Sequence, residues 1–161
     1  MSEPDHLVHL LERQVNTRGD KLALFEKING DYQGMSYQQY FDSVKRFSVG
    51  LTQLGVNQGD CVGVLSDNCP KWAISDMAIL SLGGVTVPFY PTLSAEQIKF
   101  IIQDSQTVVM IVATSEQLRK VQSIASDCPS LKKIICMADL SSVSDPLCLS
   151  FEAVSSDKDD T

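Results

Sequence analysis

The chain has 161 residues, of which 43% are hydrophobic and 20% are charged, and its formal net charge is −7. A chain of this size and composition can bury one main core, which excludes a wholly disordered protein. Nucleic-acid binding is also disfavoured, because a phosphate backbone is met by clustered lysine and arginine side chains and here the basic residues are scattered along an acidic chain.

Neither a membrane span nor a secretory signal is indicated. The longest uncharged run, 77–95, contains two glycines and two prolines, which interrupt a spanning helix. The N-terminal run carries acidic residues where a signal peptide carries basic ones. We therefore expect a cytoplasmic protein without a transmembrane segment, and peripheral contact with a cytosol-facing membrane stays open as an alternative.

The cysteines form neither a disulfide framework nor a zinc motif. Their number is odd and no two are spaced as Cys-x-x-Cys. We expect them to be reduced and mainly structural, because free cysteine behaves as a small buried hydrophobic residue. The five are Cys61, Cys69, Cys128, Cys136 and Cys148.

The first predicted elements are an amphipathic helix and a β-hairpin. Apolar residues three and four apart predict a helix over Leu7–Val15. The dipeptide Asn29-Gly30 tolerates positive φ and is flanked by the β-rich segments Lys21–Glu26 and Tyr32–Met35. This arrangement predicts a short antiparallel hairpin.

From residue 36 onward, helical and strand patterns alternate. Capping boxes predict helix starts at Ser36 with Gln39, Ser94 with Gln97, and Thr114 with Gln117. A further helix begins at Pro70 and ends at Gly83-Gly84. It is apolar nearly all round, which predicts deep burial, including that of Trp72.

Short apolar runs between these helices predict four strands, Cys61–Leu65, Val85–Pro88, Val108–Val112 and Lys133–Met137. The alternation predicts an α/β fold with a mostly parallel sheet built from βα repeats with right-handed crossovers, preceded by the hairpin. After Met137 the composition becomes rich in serine and aspartate, with one weak pattern at Leu147–Val154, and we expect a disordered tail.

Few residues are candidates for catalysis or ligand binding. Asp67 follows the strand Cys61–Leu65, and Tyr90-Pro91-Thr92 follows the next strand, so both lie where α/β folds gather ligands. A role in a turn or a helix cap explains Asp67 better than ligand binding does. A turn explains Tyr90-Pro91-Thr92 as well as ligand binding does. His6 and His9 are spaced to share a metal, but no other histidine and no nearby cysteine accompanies them. The sequence contains no glycine-rich phosphate loop of a known pattern.

An ordered series of blocks resembles the front of the AMP-forming acyl-CoA synthetase and ligase superfamily. The blocks are Met35–Tyr40, Gly50-Leu51 with Leu54-Gly55-Val56, Gly59–Trp72, and Leu82–Pro88. The continuation Phe89–Gln97 is similar to the long-chain fatty acid branch. The resemblance divides the chain into an N-terminal helix (1–17), a partial AMP-binding N-terminal domain (18–140) and a polar acidic tail (141–161).

The resemblance implies an enzyme that uses ATP and magnesium to convert a fatty acid to an acyl adenylate and pyrophosphate, and then passes the acyl group to the thiol of CoA. The family's Ser/Thr/Gly-rich loop, its adenine and magnesium site and its catalytic lysine do not match any part of this sequence. We therefore expect no catalytic, cofactor-binding or metal-binding residue here, and no binding of ATP, magnesium or CoA by this chain alone.

Three interpretations follow. The chain is the N-terminal part of a long-chain fatty acid CoA ligase and is inactive on its own; or it is a short noncatalytic protein that pairs with full-length ligases; or it is an α/β module that binds a small molecule. The resemblance also predicts that part of the sheet's covering is missing, which would favour self-association or contact with the remainder of the domain.

Overall fold

The computed structural model describes residues 6–140 and 144–156. The elements in chain order are α1 (Leu7–Arg18), β1 (Leu22–Ile28), β2 (Asp31–Ser36), α2 (Tyr37–Gln53), β3 (Cys61–Leu65), α3 (Pro70–Ser81), β4 (Val85–Phe89), α4 (Ala95–Ser105), β5 (Val109–Val112), α5 (Ser115–Ile124), a 3₁₀ turn (Ala125–Asp127), β6 (Lys133–Cys136), β7 (Cys148–Ser150) and α6 (Phe151–Ser155).

The predicted parallel sheet is confirmed, with strand order β4-β3-β5-β6-β7 and every neighbouring pair parallel. Alternate side chains of each strand point to opposite faces, and both faces are apolar, as a parallel sheet covered on both sides requires. Val62, Val64 and Ile111 pack with α1, α2, α3 and α6. Met110 and Ile134 pack with α4 and α5 on the other face. Helices therefore cover both faces of the sheet at its central strands, whereas the edge strand β4 is only partly covered, with Val85 and Pro88 exposed.

The predicted hairpin is confirmed as a separate antiparallel pair of β1 and β2. At its turn, Asn29 has φ 51° and Gly30 has φ 96°. These angles place two consecutive residues in the left-handed region that a two-residue hairpin turn requires. Leu24 and Met35 pack from the hairpin against the core.

All three predicted capping boxes are present, at the starts of α2, α4 and α5. Helix α3 begins at Pro70, and Gly83 with φ 69° follows its last turn, as the sequence predicts. The prediction that α3 is buried all round is wrong. Ile74, Ala78 and Ile79 are buried, whereas Trp72 is only half-buried because it lies at the rim of the helix layer.

The prediction of a disordered tail over 141–161 is wrong for 144–156. Strand β7 adds to the sheet beside β6, and α6 follows it immediately. The ring of Phe151 stacks on that of buried Phe47, with 4.3 Å between centroids. Gly50 makes this contact possible, because a Cβ at that position would overlap the carbonyl oxygen of Val154. The other residues of the predicted tail lie outside the described residues.

Candidate functional site

A cavity of about 330 Å³ lies at the carboxyl edge of the sheet, between the loops that follow β3 and β4. The strands end side by side, since Leu65 pairs with Phe89, so the two loops face each other. The order of strands reverses at β3, which has β4 on one side and β5 on the other. This is the place in an α/β sheet where ligands gather. The cavity is lined by Ser66, Asp67, Asn68, Trp72, Pro88, Phe89, Tyr90 and Pro91.

The β3–α3 loop supplies the polar side of this cavity. The Ser66 hydroxyl is buried and donates to the carbonyl oxygen of Asp67 at 2.7 Å, and it lies 3.7 Å from the Cys69 sulfur. This contact fixes the turn that presents the exposed side chains of Asp67 and Asn68. The capping alternative for Asp67 is wrong, because the N-cap of α3 is Cys69 and no side chain caps that helix.

Apolar and aromatic groups form the opposite side of the cavity. Tyr90 is 78% exposed, whereas Phe89, the last residue of β4, is 3% exposed, so one exposed ring and one buried ring line the cavity. The structure thus brings Asp67 together with Tyr90 and Pro91, as their positions after adjacent strands predict. Trp72 completes the wall, and sequence analysis missed it because the helical pattern around it predicts a core position.

The cavity can hold a ligand by shape and a few polar groups, but it lacks the parts of a phosphate-handling centre. Asp67 and Tyr90 are its titratable side chains, and no lysine or arginine is among its lining residues. Within the part of the chain that the structure describes, no three histidine, cysteine, aspartate or glutamate residues are placed to hold a metal ion. The residues present therefore do not fit a magnesium–nucleotide complex, whose phosphates require cations.

The other residues singled out by sequence lie elsewhere. The rings of His6 and His9 stack with 3.7 Å between centroids at the start of α1. The five cysteines are free; Cys128 and Cys136 are buried and the other three are half-buried. Burial, reinforced by Asp145, raises the pKa of Cys148 to about 11, so its thiol is protonated at neutral pH.

Lys71 forms a second polar cluster that sequence analysis did not identify. Its ammonium group donates to the Met137 carbonyl oxygen at 3.0 Å and to the Glu152 carboxylate at 2.6 Å, and it lies 5.3 Å from the centre of the Phe151 ring. The partners are 66 and 81 residues away in sequence, so no local pattern could reveal them. The cluster ties α6 to the start of α3, and its role is structural.

Several known proteins are similar in sequence to this chain. A long-chain-fatty-acid–CoA ligase of Xenopus laevis is 33% identical over 83% of this chain and 18% of its own length. Another, from Mycobacterium bovis, is 30% identical over 86% of this chain and 23% of its own length. The chain therefore spans about a fifth of the length of these relatives.

Solved structures agree in fold. An anthranilate CoA ligase in complex with anthranoyl-AMP matches 92% of this chain and 27% of its own, with a TM-score of 0.82 and 28% identity. A putative long-chain-fatty-acid CoA ligase from Rhodopseudomonas palustris matches 98% of this chain and 38% of its own, with a TM-score of 0.83 and 23% identity.

Two further observations concern membrane-spanning helices and the protein family. Within residues 6–140 and 144–156, no helix combines the length and apolar character needed to cross a membrane. The model of one family, described as AMP-binding enzyme, matches residues 11–161, which include the sheet, the cavity and the terminal helix α6. The chain belongs to the AMP-binding enzyme family, and its curated relatives are long-chain fatty acid CoA ligases.

Proposed function

We propose that this chain is the N-terminal part of a long-chain fatty acid CoA ligase, which converts a fatty acid, ATP and CoA to acyl-CoA, AMP and pyrophosphate through an acyl adenylate. The observation that carries the proposal is the 33% identity to the Xenopus laevis ligase across 83% of this chain. A likeness of fold alone would support only membership of the wider family, because one fold hosts many functions.

In this proposal the chain supplies scaffold and one wall of a ligand cavity. Magnesium and cationic groups offset the charge that develops when a phosphoryl group is displaced, so adenylation depends on them. The cavity described here offers the single carboxylate of Asp67 and no cation. ATP, magnesium and CoA are therefore bound by the parent enzyme, and this chain alone is inactive.

The same proposal gives the parent enzyme a cytoplasmic location, with its membrane contact peripheral. A fatty acid is the small-molecule partner, and nucleic acid is not one, since the chain carries a net charge of −7.

The test is the mass and activity of the native product. An antibody raised against this chain is used to capture the product from its own cells, and the captured material is assayed for palmitate-dependent exchange between ATP and pyrophosphate. We expect a product several times heavier than 17.7 kDa that catalyses this exchange.

Two controls accompany the assay. Acetate replaces palmitate to establish that the exchange depends on a long acyl chain, and the purified 161-residue chain is assayed alongside and is expected to be inactive. A native product of 17.7 kDa without exchange activity would contradict the proposal, and exchange by the purified chain would contradict its inactivity.

A further inference from the structure

The turn of the hairpin places an asparagine directly before a glycine at an exposed position. Asn29 and Gly30 join β1 to β2, and both residues are exposed. No described residue forms a hydrogen bond with the Asn29 side chain. A Cβ built on Gly30 would meet no heavy atom within 4 Å, so the turn is open on that side. The Asn29 amide and the Gly30 nitrogen are therefore accessible to each other and to water.

This pair of residues supports a known reaction of asparagine. The backbone nitrogen of the following residue attacks the side-chain carbonyl carbon, and the new C–N bond closes a five-membered succinimide ring. The amide nitrogen leaves as ammonia and takes the proton of the attacking nitrogen. Water then opens the ring at either carbonyl group, so the product is aspartate or isoaspartate with one additional negative charge. Glycine favours the attack, because no Cβ crowds its nitrogen.

The other three asparagines of the chain lack this combination. Asn16 lies inside α1 and is followed by a β-branched threonine. The side-chain amide of Asn57 donates to a backbone carbonyl oxygen at 3.0 Å, and its backbone N–H donates to a carboxylate at 2.8 Å. Asn68 is exposed but precedes Cys69, which carries a Cβ. Asn68 is therefore the internal reference for an exposed asparagine without a following glycine.

The hairpin can open at this turn without losing its anchor on the core. The succinimide forms only when the Gly30 nitrogen reaches the side-chain carbonyl carbon, which requires the two-residue turn to open. The pair next to the turn is Ile28 with Asp31, and both residues are exposed. Leu24 and Met35, which pack against the core, form the fifth pair from the turn. Such local opening at an exposed end costs far less free energy than unfolding of the domain.

We infer that Asn29 is a site of deamidation in the folded protein, and that isoaspartate at this position opens the end of the hairpin while its base stays on the core. Isoaspartate carries the main chain through its side chain and so adds one methylene to a turn of two residues. The left-handed geometry of Asn29 and Gly30, at φ 51° and 96°, is then lost. The inference is independent of the proposed function, since it uses only the hairpin of this chain.

The experiment stores the purified 161-residue chain in mildly alkaline buffer and follows it by anion-exchange chromatography and tandem mass spectrometry. A form with one negative charge more than the parent net charge of −7 is expected to accumulate. Both aspartate and isoaspartate are expected at residue 29. Conversion of Asn29 is expected to be at least about tenfold faster than conversion of Asn68, because glycine leaves the attacking nitrogen unhindered.

Two variants test the chemistry. Asn29→Gln keeps an amide, but its side chain is one carbon longer and cannot close the five-membered ring, so the more acidic form should not arise from residue 29. Glutamine tolerates this backbone conformation, since Gln106 of the same chain has φ 54°. Gly30→Ala adds a Cβ beside the attacking nitrogen and is expected to slow conversion severalfold, although strain at φ 96° loosens the turn.

Amide hydrogen exchange of the converted chain tests the structural consequence. Exchange is expected to rise at Ile28 and Asp31 and to stay unchanged at Leu24 and Met35. Conversion of Asn29 no faster than that of Asn68, or an equal charge change in Asn29→Gln, would overturn the inference. Conversion that occurs only in the urea-unfolded chain would also overturn it, because the folded turn would then protect the asparagine.

Discussion

Phe151→Ala tests whether β7 and α6 belong to the folded unit. Phe151 is 5% exposed and stacks on Phe47, so its truncation removes a buried ring and leaves a cavity. Such changes cost about 3–5 kcal/mol in a rigid core. Because α6 has only five residues and can undock locally, we expect a loss near the lower end, about 3 kcal/mol in the free energy of unfolding.

The assay is urea unfolding of the 161-residue chain followed by circular dichroism, with thermal unfolding in parallel. A loss of about 3 kcal/mol corresponds to a decrease in Tm of about 6–12 °C for a domain of this size. Phe100→Ala is the matched control, since this phenylalanine is exposed and its truncation is expected to change stability by less than about 0.5 kcal/mol.

A second substitution isolates the docking of α6 from other effects. Gly50→Ala places a methyl group where the Val154 carbonyl oxygen lies, so α6 cannot pack in its native position. In that background Phe151→Ala is expected to cost less than about 1 kcal/mol, which gives a coupling energy of about 2 kcal/mol. If Phe151→Ala matched the Phe100→Ala control in the parent chain, residues 148–155 would not be part of the stable fold and the reasoning would be refuted.

Three further substitutions probe the Lys71 cluster, the cavity wall and the hairpin turn. Lys71→Met removes an exposed ion pair and is expected to cost about 0.5–1 kcal/mol in urea unfolding. The pKa of Glu152 is lowered from its ordinary value: burial raises it, but the hydrogen bond and charge of Lys71 and a backbone hydrogen bond together lower it more. The stabilisation is therefore present at neutral pH and is lost as pH falls below the ordinary glutamate pKa of about 4.3. Stability measured from pH 7 to pH 3 should therefore decline less in Lys71→Met than in the parent, and an equal decline would exclude the pair as its cause. Trp72→Ala is expected to cost about 1–2 kcal/mol by circular dichroism, because the ring is half-buried; a cost above about 4 kcal/mol would indicate a core position. Gly30→Ala, at φ 96° with open space around it, is expected to cost about 1 kcal/mol from backbone strain alone, and an unchanged urea midpoint would contradict this.

The sequence predicted those elements whose signals are local. A capping box lies within four residues, and an Asn-Gly turn within two, so the three helix starts and the hairpin could be located without knowledge of the fold. The parallel sheet followed because four apolar runs alternate with helices. The caps and the turn depend on contacts that a short window of sequence contains, whereas the sheet was inferred from the order of the elements.

The segment after Met137 could not be predicted in the same way. Strand β7 has three residues and α6 has five, which is too short for a period to emerge from a serine- and aspartate-rich background. The contacts that hold this segment are made by Phe47, Gly50 and Lys71, which lie 81 to 104 residues earlier in the chain. Tertiary packing therefore overrides a local composition that favours disorder.

The candidate site was predicted only in part, because one of its walls depends on tertiary packing. The ends of β3 and β4 can be located in the sequence, and adjacent parallel strands bring Asp67 and Tyr90 together. Trp72 could not be assigned to the wall, because a helical pattern that is apolar all round contains no information about which side meets the sheet. Its half-buried position depends on how α3 lies against its neighbours.

Exposed apolar side chains lie next to the candidate site. Among the described residues, helices cover both faces of the central strands of the five-stranded sheet. Exposed apolar side chains include Phe25 on the hairpin and Tyr90 at the carboxyl edge, and the cavities at these two places share Asn68 and Trp72. In the proposed function, the cavity at the carboxyl edge offers one carboxylate and no cation, so the groups that offset phosphate charge are supplied from outside its lining residues.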